Sequence, residues 1–260
     1  MVSLHVEPTS RCTLACPRCE RTELLSKFGK KALPINDLNI NDFKTFIDID
    51  IDNINFCGNL GDPIYHKNFL QLVKESKLVA KAVNITTNGS RKSRAWWKKL
   101  NAILDDKDTV TFSIDGTPDN FTRYRINGDW PSIRVGIDEC VLGSVRVVWK
   151  YIPFKFNEND MESTRLLSNE LGIDKFKVDP SDRWNEADES INTLRPTLKS
   201  LVASRDIVQR KFETTTSRDF VIDPKCKNDM MHFISSDGYY SPCCYSKHYN
   251  FHYKSQWHKN

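Results

Sequence analysis

The sequence predicts an α/β fold built on a parallel sheet. Three observations point there. Short apolar runs alternate with amphipathic stretches across residues 1–180, which is the pattern of repeated βαβ units. Polar turn residues close these runs, as in Pro8-Thr9-Ser10, Asn88-Gly89-Ser90 and Asp115-Gly116-Thr117. A chain of 260 residues with 39% hydrophobic and 28% charged side chains is also large enough for one sizeable core.

Each element follows from its local pattern. "SLHVEP" reads as the first strand, and "NINDFKTFIDI" as a helix with Asn39 or Asn41 at its N-cap. "IDNINFCG" is a strand ending in glycine. "KNFLQLVKESKLV" has the helical spacing of Phe69, Leu70, Val73 and Leu78. "KAVNITTNG" is the third strand, and "SRAWWKKLNAILDD" a helix capped by Ser93. "DTVTFSIDG" is a strand, and "WPSIRVGIDECVLG" a helix that must accommodate Gly136. "SVRVVWKYIPF" and "DKFKVDP" are the fifth and sixth strands. Between them "NDMESTRLLSNELGI" is a helix, capped by Asn159 or Asp160 and stopped by Gly172. Residues 181–218 read as a polar connector with one helix near 196–212, and residues 219–260 as a separate small unit.

Composition narrows the function classes. A net charge of +4 is a mild basic excess, so nucleic acid is not the expected partner. No apolar run has the length of a membrane span, and the start lacks a signal-peptide pattern. The expected compartment is the cytoplasm. There, eight cysteines point to metal binding before disulfides.

Cys12, Cys16 and Cys19 form a C-x₃-C-x₂-C run in the loop after the first strand. Three readings stand side by side. Free cysteines pack well as small apolar side chains. A structural zinc site takes four ligands, and no fourth Cys or His lies nearby in sequence, while His5 sits in the preceding strand. A [4Fe–4S] cluster takes four thiolates, so three would leave one iron open to a small molecule.

This run after a first strand resembles the signature of the radical S-adenosylmethionine (radical SAM) enzymes. Further stretches carry the resemblance in order. "CGNLGDP" is similar to the family's glycine-rich motif, with Gly58, Gly61, Asp62 and Pro63 in matching places and Asp where Glu is commoner. "TTNGS" and "SIDG" follow at the ends of the third and fourth strands, offering Asn88, Ser113 and Asp115. "RYRINGDW" offers Arg125 in preference to Arg123, "YIPFKFNEND" offers Asn157, and "FKVDPSDRW" offers Val178. Asp182, Arg183 and Trp184 would then face substrate. The chain departs from many members at Arg18, where an aromatic residue commonly precedes the third cysteine.

The resemblance implies an open, partial (β/α)₆ barrel over residues 1–180, with the site at the strand C-termini. It implies a [4Fe–4S] cluster on Cys12, Cys16 and Cys19, and S-adenosylmethionine held by the loops around Gly58–Pro63, Asn88, Ser113–Asp115, Arg125, Asn157 and Val178. The cluster would cleave S-adenosylmethionine to a 5′-deoxyadenosyl radical that takes hydrogen from a peptide or small-molecule substrate. An electron donor such as flavodoxin or ferredoxin is then an expected partner.

At the other end, "CKNDMMHFISSDGYYSPCC" carries Cys226, Gly238, Cys243 and Cys244. It resembles the opening of the SPASM and Twitch extensions, which bind auxiliary [4Fe–4S] clusters. The implied unit is a β-hairpin turning at Asp237-Gly238, with Cys226, Cys243 and Cys244 as metal ligands of a candidate auxiliary cluster. The later cysteines of the SPASM pattern are absent from the sequence. Cys57 and Cys140 are expected to be structural, with a hydrogen-donor role for Cys57 as the alternative. The aromatic and basic tail is expected to pack on the domain. The competing reading of the whole chain is a non-catalytic iron- or zinc-binding module.

Overall fold

In this computed structural model, residues 2–33, 35–181, 193–203 and 230–241 are described. Six parallel strands form first: β1 (Val2–Val6), β2 (Ile51–Phe56), β3 (Ala80–Thr87), β4 (Thr109–Ser113), β5 (Arg146–Tyr151) and β6 (Lys175–Val178). They lie in sequence order across the sheet, each hydrogen-bonded to the next in parallel. Helices α1 (Glu20–Phe28) and α2 (Ile40–Phe46) lie between β1 and β2, followed by α3 (Phe69–Lys77), α4 (Arg94–Asn101), α5 (Trp130–Val141) and α6 (Met161–Glu170). This is the predicted α/β architecture. None of the described helices is long and apolar enough to cross a membrane.

The helices begin and end for local reasons. Asn39 accepts from the Asn41 N–H, and Ser93 from the Trp96 N–H, so each caps its helix through its own side chain. Gly172 follows α6 with φ +75°, a conformation glycine adopts without strain. Helix α1 lies outside the sequence expectations. Its apolar signal is thin, since Leu24 is its one buried residue. Glu20 and Glu23 in its first turn favour it through the helix dipole.

Apolar side chains from both layers fill the core. Phe56, Ile85, Phe112 and Trp149 from the strands meet Phe43, Phe69, Trp97 and Ile133 from the helices, all nearly inaccessible to solvent. Each such side chain contributes about 1.5–3 kcal/mol by burial. Helices α4 and α5 approach closely because Gly136 has no side chain. A Cβ there would stand 2.6 Å from the Trp97 ring.

The hairpin predicted at Asp237-Gly238 forms, with β7 (Met230–Ile234) and β8 (Tyr240–Ser241) antiparallel and Gly238 at φ +83°. Strand β7 pairs in parallel with β1, from Val2 opposite Met230 to Val6 opposite Ile234. This segment is thus a seventh parallel strand of the main sheet, beyond β1. The helix predicted near 196–212 is represented among the described residues only by a short 3₁₀ turn, Lys199–Leu201. Residues 193–203 lie against the loop after β5, where Lys155 N–H donates to the Leu194 carbonyl and Glu158 accepts from Thr197.

Candidate functional site

Parallel strands bring all their C-terminal loops to one edge of the sheet, where α/β folds place their sites. A cavity of about 410 Å³ opens there. The loop after β1 supplies Cys12, Cys16 and Cys19 to its wall, the loop after β2 supplies Cys57 to Pro63, and β3 supplies Thr86, Thr87 and Asn88. Ser113, Tyr124, Arg125 and Lys150 close the far side, with Asp179, Pro180 and Ser181 after β6.

The cysteine loop is fixed by its neighbours. Ala15 N–H donates to the Ile126 carbonyl at 3.1 Å, and Cys19 N–H to the Cys16 carbonyl at 3.1 Å. Thr13 meets the Tyr65 hydroxyl at 2.9 Å, and that hydroxyl also reaches the Ser90 carbonyl. One phenol therefore links the loops after β1, β2 and β3. Leu14, Tyr124 and Phe154 pack around Cys16, which is itself buried. Burial pushes the Cys12 thiol up to about 12 and the Cys16 thiol to about 11. Asp62 reinforces the rise at Cys12, while Arg125 opposes it at Cys16.

The donor set suits a cluster. Leu14 N–H points at the Cys12 sulfur at 3.4 Å and the Asn88 amide at 3.7 Å, as groups that would stabilise a thiolate. Among the described residues, no group of three His, Cys, Asp or Glu side chains converges as ligands of one ion would. The thiolates of an iron–sulfur cluster each bind a separate iron, so they need not converge on one point.

The glycine loop is a tight crossing of backbones. A Cβ on Gly58 would lie 2.2 Å from the Gly61 carbonyl oxygen, and one on Gly61 would lie 1.9 Å from that of Thr9. Glu7, buried at the end of β1, accepts from the Leu60 and Gly61 N–H groups at 2.5 and 3.2 Å. Arg21 of α1 donates to the Ser10 and Leu60 carbonyls and so ties the cysteine loop to the glycine loop.

Asp62 works inward. One carboxylate oxygen accepts from the Thr87 hydroxyl at 2.7 Å and the Ile64 N–H at 3.3 Å. The other accepts from the backbone and side-chain amides of Asn88, both at 2.6 Å. Desolvation raises its pKa, against these hydrogen bonds. Asp62 therefore clamps the loop after β2 to the loop after β3.

Arg125 and Asp115 form a buried ion pair, Nε to Oδ2 at 2.6 Å, and the other Asp115 oxygen accepts from the Ile152 N–H at 2.8 Å. Burial opposes the charge on Arg125, but Asp115 and Cys16 outweigh it and keep the guanidinium protonated. Arg125 lines the cavity, whereas Asp115 stands behind it, wholly inaccessible.

Three of the predicted cofactor-binding residues, Asn157, Val178 and Asp115, are not among those that line the cavity. Asn157 is fully buried, and its amide donates to the Asp115 and Ile152 carbonyls while its oxygen accepts from the Phe154 N–H. It builds the turn after β5 and does not line the cavity. Val178 ends β6 and is 37% exposed, and the wall beyond β6 is made by Asp179, Pro180 and Ser181. Asp115 likewise acts through Arg125. Gly58, Gly61, Asp62, Pro63, Asn88, Ser113 and Arg125 do line the cavity with the three cysteines.

Sequence reasoning passed over Glu7, Arg21, Tyr65, Tyr124, Lys150 and Asp179. The signal available for Glu7, Lys150 and Asp179 was position at or just beyond a strand end, and for Arg21 its place in the helix after the cysteine loop, whereas Tyr65 and Tyr124 lie well along the loops after β2 and β4. Cys57, read as structural, stands in the cavity wall. Cys140 is buried in α5 as expected. Cys226, Cys243, Cys244, Asp182, Arg183 and Trp184 lie outside the described residues.

No family model matches the chain. The tungsten-containing aldehyde ferredoxin oxidoreductase cofactor-modifying protein of Pyrococcus furiosus is 29% identical over 118 residues, 45% of this chain and 32% of that protein. Streptococcus suis SuiB bound to S-adenosylmethionine superposes with a TM-score of 0.62 at 13% identity, covering 96% of this chain and 61% of SuiB. SuiB bound to its precursor peptide SuiA gives 0.63 at 14% identity, over 94% of this chain and 60% of SuiB. Methylornithine synthase (PylB) gives 0.50 at 13% identity, over 69% of this chain and 53% of that one. The chain thus spans about a third of the curated relative and about three fifths of SuiB. At these identities the structural likeness is one of fold. The chain has the fold of SuiB and of methylornithine synthase, and its cysteine motif resembles that of the radical SAM enzymes.

Proposed function

We propose that the chain is a radical SAM enzyme acting on a peptide or a small molecule. One observation carries this reading: the three cysteines share a single cavity with the glycine loop, Asn88, Ser113 and Arg125. Cys12, Cys16 and Cys19 would hold a [4Fe–4S] cluster. Bound there, it would supply one electron to S-adenosylmethionine, whose cleavage gives a 5′-deoxyadenosyl radical able to take a hydrogen atom from substrate.

The chain's own residues prepare that reaction. Gly58 and Gly61 let backbone carbonyls approach an ammonium group closely. Arg125, held charged by Asp115, presents its guanidinium beside Cys16, where a carboxylate would be bound. Asp62 fixes Asn88 in place. Leu14, Tyr124 and Ile152 give the cysteine side of the cavity an apolar lining, which would help to shield a radical from water.

SuiB bound to a precursor peptide supports a peptide as substrate. The same reading takes residues 1–180 as the core, 181–218 as connector and 219–260 as a C-terminal unit with Cys226, Cys243 and Cys244 as ligands of an auxiliary cluster. It also takes a flavodoxin or ferredoxin as electron source and the cytoplasm as compartment. The test is 5′-deoxyadenosine release from S-adenosylmethionine by anaerobically reconstituted, dithionite-reduced protein. Release by wild type and none by Cys16→Ala is expected. Equal release by both would defeat the reading.

A further inference from the structure

The cavity wall opposite the cysteines carries an uneven charge. Ser113, Lys150 and Lys177 are register partners on β4, β5 and β6 and so lie in one row on one sheet face. Two lysines placed directly opposite each other repel. Asp179 relieves this, with Lys150 at 2.6 Å and Lys177 at 3.8 Å. It is one carboxylate for two ammonium groups. Desolvation opposes its charge, but the hydrogen bond from Lys150 and the nearby lysines keep its carboxyl below the usual carboxylate range. Elsewhere on the wall, Arg125, paired with Asp115, is the cation already assigned to the carboxylate of the cofactor.

We infer that Lys150 is a specificity residue that binds a carboxylate of the substrate. The incoming carboxylate takes the Lys150 ammonium, and Asp179 stays with Lys177, so each charge of the row keeps a partner. Lys150 lines the cavity with Arg21 and Arg125, whereas Lys177 is half exposed and does not line it, so of the two lysines it is Lys150 that a ligand inside the cavity meets. The trio carries one net positive charge in either arrangement until the carboxylate arrives, and none afterwards. A substrate with an ammonium group at this position would instead add to the repulsion. The inference rests on the proposed function only in taking this cavity as the place where substrate binds.

The test is binding of defined probes to the full chain after anaerobic reconstitution. ¹³C-carboxyl glutarate and the blocked peptide acetyl-Ala-Glu-Ala-amide supply the carboxylate, and acetyl-Ala-Gln-Ala-amide is the neutral control. Binding is read by ligand-observed NMR for wild type, Lys150→Met and Lys177→Met, with equilibrium dialysis of S-adenosylmethionine alongside. Wild type is expected to bind at least one carboxylate probe at least tenfold more tightly than the neutral peptide. Lys150→Met is expected to lose that preference, Lys177→Met to weaken it because Asp179 then keeps Lys150, and S-adenosylmethionine affinity to change less than threefold in both. Tighter binding of the peptide than of glutarate places the carboxylate on a peptide side chain, and the reverse places it on a free acid. The inference is overturned if wild type shows no carboxylate preference, or if Lys150→Met keeps it. It is also overturned if Lys150→Met weakens S-adenosylmethionine tenfold, which would assign the lysine to the cofactor. Absence of iron and of S-adenosylmethionine binding in wild type would sink the proposed function and leave the carboxylate readout standing.

Discussion

Arg125 shows how a single side chain serves both the fold and the site. Its partner Asp115 has no exposure at all, so removing the guanidinium would leave a buried, uncompensated carboxylate. Arg125→Leu is expected to destabilise the chain by about 3–5 kcal/mol in urea unfolding. Adding Asp115→Asn should recover part of that loss, because the buried charge goes with it. No recovery would mean that the two side chains are not coupled. Asp62 follows the same logic with neutral partners, and its family-like position does not by itself reveal that both oxygens face the protein. The sequence pattern located these residues, but which of them meet a ligand and which hold a neighbour depends on distances that spacing does not encode.

At the scale of elements, glycines set how closely segments cross. Gly61 meets backbone, which cannot move aside, while Gly136 meets the edge of a packed ring. Gly61→Ala is therefore expected to cost about 3 kcal/mol or more and to open the glycine loop, and Gly136→Ala about 1–3 kcal/mol, both measured by thermal unfolding. Equal costs would contradict this ordering. The segment at residues 193–203 depends on Glu158. Burial opposes the Glu158 charge, but hydrogen bonds from Thr197 and the Leu198 N–H lower its pKa below the ordinary value of about 4.3. A carboxyl whose folded pKa is depressed contributes stability above its unfolded pKa and loses it as pH falls through the folded one. Amide exchange at Thr197 and Leu198 should thus accelerate below about pH 4 relative to α5, and unchanged protection there would argue against the clip.

Over the whole molecule, the six-fold alternation of apolar strand and amphipathic helix was legible because each period is strong and each strand ends in a turn. Helix α1 was not, since it buries one leucine and starts at a cysteine without a side-chain cap. The place of β7 was not legible either. Its pairing with β1 joins residues 2–6 to 230–234, a contact that no local pattern records. The sheet explains why the site is where it is: parallel strands deliver every loop to one edge, and the first of those loops carries the three cysteines. The most direct test of that account is iron and acid-labile sulfide content after anaerobic reconstitution. It compares wild type with the combined Cys12→Ala, Cys16→Ala and Cys19→Ala variant. Wild type is expected to hold about four irons more than the variant. Equal iron in the two proteins, or zinc in place of iron in wild type, would contradict a cluster at this loop.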